Sequence, residues 1–196
     1  MLRPHALLIL VLVALPACVL SPELPPVQTL IDQQTAITVE TMGEPYILAS
    51  AAGGLAANAR DYLDLRVLEI DRMGKRTYLL SLVAFSTIDR RGQPNPTAQG
   101  LGTVRLKLGG KVRELVALGE TDEAHGLSAR LFPRRKGQVG SADYAVTPDL
   151  IRELAATSSD DVAVEVGDGG DLRYDPWMPA AEGLRTFAER LPRAGR

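Results

Sequence analysis

Few side chains in this sequence have the chemistry of a catalyst, and their spacing argues against most reactions they can support. Apart from His5, the only histidine is His125, set close to Glu120, Asp122 and Glu123. A Ser-His-Asp triad needs an imidazole oriented against a serine, and no Gly-x-Ser-x-Gly elbow is present to hold one. His125 therefore reads as an exposed loop residue, and no catalytic residue is expected. Glu153, Asp160, Asp161 and Glu165 come nearest to the paired carboxylates of a glycosidase, but a helix end and a strand place such residues on a solvated surface equally well. Asp168-Gly169-Gly170-Asp171, with Asp175 after it, offers oxygens to a hard cation without the spacing of an EF-hand, and reads as a turn. Zinc wants three or four nitrogen, sulfur or carboxylate ligands, and nucleotides want a glycine-rich phosphate cradle; neither pattern occurs, so no metal and no cofactor is expected.

The polar feature with the most recognition chemistry is cationic. Arg130, Arg134, Arg135 and Lys136 lie close together, joined by Arg90 and Arg91 if the two loops meet. Arginine forks match carboxylates and phosphates bidentately, so this cluster is the candidate site for an anionic partner: an acidic glycan, a lipid head group or the acidic strand of a protein. The plain alternative is a solvated basic loop. Trp177, between Pro176 and Met178, is either an exposed anchor for a partner or a cover for one end of the core.

One further residue carries chemistry by its position. Cys18 is the only cysteine; it follows Leu15-Pro16-Ala17, and before those comes a short start with Arg3 and an apolar run over residues 6–15. A basic start, an apolar stretch of this length and a small residue before the cut are the parts of an export signal, and the run falls well short of the roughly 20 residues that span a bilayer. The segment resembles the lipobox of bacterial lipoproteins, with Pro16 standing where a small or β-branched residue is usual. The resemblance covers this segment alone. It implies cleavage after Ala17, diacylation of Cys18 and a lipid-anchored protein, since two acyl chains suffice for stable anchoring. Val19 rather than aspartate after the cysteine implies, in a host with two membranes, transfer to the outer membrane facing the periplasm. A secreted or periplasmic soluble protein is the alternative.

The elements that must position these residues belong to a β-rich domain. The 196 residues are 45% hydrophobic with a formal net charge of −2, which suits a globular chain and gives no basic footprint for nucleic acid. Residues 1–17 are expected as signal peptide, 18–31 as the lipidated cysteine and a proline-rich tether, and 32–196 as one extracytoplasmic α+β domain. Alternation predicts strands over residues 36–41 and around Tyr46, Ile47 and Leu48. The strongest signal is a long hairpin: Leu63, Leu65 and Val67 alternate with charged residues, Arg72-Met73-Gly74-Lys75 turns, and residues 77–88 return with apolar side chains on both faces. A loop over 89–100 leads to a second hairpin turning at Gly109-Gly110. A short strand over 127–132 and a basic loop over 133–140 follow. Strands are predicted over 142–146, over 162–166 and around Leu172 and Tyr174. Thr147-Pro148-Asp149 is a helix-start signature, and a terminal helix is predicted over about 179–191.

The expected fold is α+β, a mostly antiparallel sheet of hairpins with two helices of the C-terminal region packed on it; a β-sandwich is the alternative. The expected role is a non-catalytic accessory, scaffold or binding lipoprotein of the cell envelope, held to the membrane by its lipid and meeting an envelope protein or glycan. A carrier of a small apolar ligand or lipid, and an envelope hydrolase, are the other readings.

Overall fold

The computed structural model describes residues 24–50, 59–90, 94–119, 125–128, 132–167 and 169–192. Cys18, the signal segment, Arg91, Arg130 and Asp168 lie outside the described residues. The chain is mostly antiparallel β-sheet with helices packed on it. Its strands are β1 (Val27–Asp32), β2 (Ile37–Met42), β3 (Tyr46–Ser50), β4 (Asp61–Arg72), β5 (Lys75–Ser86), β6 (Thr103–Leu108), β7 (Lys111–Gly119), β8 (Gln138–Ala145), β9 (Val162–Val166) and β10 (Leu172–Met178). The helices are α1 (Pro96–Gln99), α2 (Pro148–Ala156) and α3 (Ala181–Arg190).

The β4–β5 hairpin is the spine. Arg72 faces Lys75 in the register, and the intervening Met73 and Gly74 have φ of 53° and 87°, the two left-handed residues that match a tight turn to the twist of its strands. The Asp71 carboxylate accepts the Gly74 N–H at 2.7 Å. The β6–β7 hairpin repeats the device with Gly109 and Gly110 at 53° and 83°.

The sheet closes on itself. Its pairing order runs β1-β2-β4-β3-β10-β9-β6-β7-β8-β5, and β5 also pairs with β4, so the strands from β3 to β10 form a ring with every neighbour antiparallel. Two separate sheets facing each other are therefore not formed. Eight strands leave a lumen just wide enough for side chains to fill, and the alternation inferred for β4 supplies them. Leu63, Leu65 and Val67 meet Leu80 and Leu82 of β5, Leu106 of β6 and Val164 of β9 in one buried cluster. Tyr144 and Tyr174 are fully buried in the same cluster.

Helices close both mouths. At one, α2 bridges from the end of β8 toward β9, and α3 follows β10; Ile151, Leu154, Leu184 and Phe187 join the lumen cluster. The helix start read from the sequence is present: the Thr147 hydroxyl accepts the Leu150 N–H at 3.2 Å with Pro148 in the first turn. At the other mouth α1 lies within the segment expected as a loop, and a 3₁₀ turn at Gly100–Gly102 follows it. Thr97 is fully buried there, its hydroxyl against that of Tyr174, and the Tyr144 hydroxyl donates to the Leu101 carbonyl at 2.5 Å. Burial holds the Tyr174 phenol up to about 12, so it stays a protonated hydrogen-bonding group.

Two other expectations are corrected. The tether expected over 18–31 is not extended spacer at its far end, because residues 27–32 form β1, paired throughout its length with β2. The strand expected over 127–132 is absent from its described part, since Leu127, Ser128 and Phe132 carry no strand pairing.

Candidate functional site

Because side chains alternate across a strand, filling the lumen with Leu63, Leu65 and Val67 sends Asp64, Arg66 and Leu68 to the outside of the barrel. The register then builds cross-strand rows on that outer wall. Ile47, Asp64, Val83 and Ser141 form one row across β3, β4, β5 and β8; Arg66, Ser81 and Asp143 form the next. The segments 125–128 and 132–136 lie over this wall and make it the floor of a groove of about 940 Å³, within the size range of ligand sites.

The covering segments are held by named contacts. The His125 imidazole Nε2 lies 2.8 Å from Asp143 Oδ2, Arg72 donates to the His125 carbonyl at 2.7 Å, and Leu127 packs with Leu68, Ile70 and Leu79. The Ser128 hydroxyl donates to Asp32 at 2.6 Å, and this bond holds the Asp32 carboxyl well below the usual carboxylate range. Arg66 lies over the Phe132 ring at 4.7 Å and Arg135 over Phe85 at 3.9 Å. His125 is thus a paired side chain, 11% exposed, and not the exposed loop residue expected from its acidic surroundings.

Asp64 is the centre of the groove. It is 7% exposed; its Oδ2 accepts from Arg135 Nη1, while its Oδ1 is buried with no hydrogen-bond partner. Burial raises its pKa, opposed by the bond to Arg135 and the charges of Arg135 and Arg66. Arg66 donates to the carbonyls of Met42 and Gly43 at 2.9 and 3.1 Å, and burial lowers its pKa, though a guanidinium remains charged. Such a floor presents an unused acceptor, fixed cations and apolar surface together.

The candidate anionic-partner residues divide. Arg134 and Arg135 line the groove. Arg135 is committed to Asp64, and Lys136 is exposed; Arg130 lies outside the described residues. Arg90 is tied to Asp61, which also accepts from Asn95 at 3.1 Å, beside α1. Two of the four carboxylates considered for glycoside hydrolysis are neutralised separately: Glu153 by Lys111 and Arg113, Glu165 by Lys107 and Arg105. Among the described residues no three metal-ligating side chains gather. Trp177, 48% exposed, meets Tyr62 of the small buried cluster with Ala49 and Phe85 edge-on at 6.4 Å, under the Arg60 guanidinium at 4.8 Å.

Asp64 and Arg66 were not singled out in the sequence, where they were only the charged residues alternating with Leu63, Leu65 and Val67. A signal for them was present: β5 is apolar on both faces, so something had to cover the outer wall it shares with β4. No family model, curated protein or solved structure matches the chain.

Proposed function

We propose that the chain is a membrane-anchored, non-catalytic lipoprotein of the bacterial cell envelope that binds a partner in the outer-wall groove. The observation that carries the binding role is the buried, unpartnered Oδ1 of Asp64 in a groove of ligand size. A buried carboxylate oxygen without a donor is costly in a folded protein, and a partner that supplies the donor relieves that cost only when bound. The anchoring role is supported by the apolar run before the single Cys18; with Val19 following, the destination in a host with two membranes is the outer one.

Hydroxyl-radical footprinting of the full chain, in its native envelope and again after purification, tests the binding role. Phe132 and the exposed Met178 in the groove are expected to be protected in the envelope, with Val116 and Leu118 on the outer face of β7 equally reactive in both. Equal reactivity of the groove in both preparations contradicts the proposal.

A further inference from the structure

Resting on that binding reading, we infer that the groove takes an acidic saccharide, a ring bearing both hydroxyl groups and a carboxylate or phosphate. Three features select this chemistry together. The free Asp64 Oδ1 needs a donor that stays compatible with the neighbouring Arg66 and Arg135 charges; a hydroxyl does so, whereas an ammonium adds a third cation beside them. Among the described residues, neither Arg66 nor the exposed Arg134 makes a carboxylate ion pair within 4.0 Å, although both line the groove. Guanidinium forks of this kind match carboxylate and phosphate oxygens.

The remaining surface fits the rest of a sugar. Ser81 and Ser141 stand in the two cross-strand rows with Arg66 and Asp64, adding small hydroxyl partners for a hydroxyl-rich rim. Phe132, with the exposed Val139 and Met178, supplies apolar surface for the C–H faces of the ring. An anion with no proton to donate, such as sulfate, has no use for the Asp64 acceptor, and an apolar ligand leaves it unpaired, so each satisfies only part of the site.

The test uses the full acylated chain in detergent micelles, titrated with D-glucuronate, glucose 6-phosphate, glucose and sulfate while the backbone amide resonances of Arg66, Ser81 and Asp143 are followed. Saturable shifts are expected with D-glucuronate or glucose 6-phosphate, and whichever binds tighter identifies the acid as carboxylate or phosphate. Glucose and sulfate are expected to bind at least about tenfold more weakly, the loss of one charge-assisted or one hydroxyl contact. Asp64→Asn, with its fold verified by circular dichroism, is expected to weaken the sugar acids without changing any response to sulfate. Sulfate binding as tightly as the sugar acids, or no saturable shift with either sugar acid, overturns the inference. If the groove is nevertheless protected in the envelope footprint, the binding role stands and only the ligand class is wrong; if that protection is missing too, both fall.

Discussion

A carboxylate buried on an apolar wall destabilises the fold that carries it unless both of its oxygens are paired, and at Asp64 one is not. Burial raises its pKa above the ordinary carboxyl value, so the folded state holds a proton there more tightly than the unfolded chain. Its contribution to stability is therefore fully present below the ordinary value and lost as pH rises through the raised one. Asp64→Asn is expected to be more stable than the parent at neutral pH by about 0.5–2 kcal/mol, as replacements at functional sites often are, with the gap closing toward acidic pH. Urea unfolding of both proteins across pH reads this directly; a variant less stable at neutral pH contradicts it. At this scale the sequence was only half legible. The basic cluster drew attention to Arg135, but composition could not reveal that Arg135 is paired with a carboxylate 71 positions away, because that pairing depends on a loop crossing the outer wall.

The elements were far more legible than their joints. Period-two alternation and two glycine-containing turns marked both hairpins, and Thr147-Pro148-Asp149 marked the start of α2. Replacing the capping hydroxyl by Thr147→Ala is expected to cost about 1 kcal/mol, measured by urea unfolding, with Thr147→Ser restoring most of it. The short pieces escaped. β1 is hidden behind Pro22, Pro25 and Pro26 and gains its pairing only from β2. The helix α1 is a single turn, its start fixed by the Asn95 side chain accepting the Thr97 N–H at 2.8 Å. The turn that follows is tightly packed: a Cβ on Gly100 meets the Val166 side chain at 2.6 Å and the Gly167 backbone nitrogen at 2.8 Å. Gly100→Ala is accordingly expected to destabilise by about 1–3 kcal/mol, and a thermal melt unchanged from the parent contradicts this packing.

At the scale of the molecule, an antiparallel α+β reading was correct, and the closure of the sheet was not foreseen. Closure depends on β5 meeting β8 and β10 meeting β3, pairings between distant segments that no local pattern specifies. The result reverses the pattern of a membrane-spanning barrel: leucine, valine and tyrosine fill the lumen, while Arg105, Lys107 and Glu165 stand on the outer wall. Among the described residues no helix is long and apolar enough to cross a membrane, and the proposed attachment is the lipid on Cys18. Intact mass of the membrane fraction from a host with two membranes is expected to show a chain beginning at Cys18 with an acyl-sized increment, absent from Cys18→Ser. A soluble, unmodified chain contradicts the anchor.

The central claim is that the groove around Asp64 is occupied when the protein is in its envelope. It is tested most directly by footprinting the parent and Asp64→Asn side by side in intact cells. The expected result is protection of Phe132 and Met178 in the parent that is lost in the variant, with Val116 and Leu118 reacting alike in both. Equal groove reactivity in the two proteins contradicts the claim that Asp64 holds a partner there.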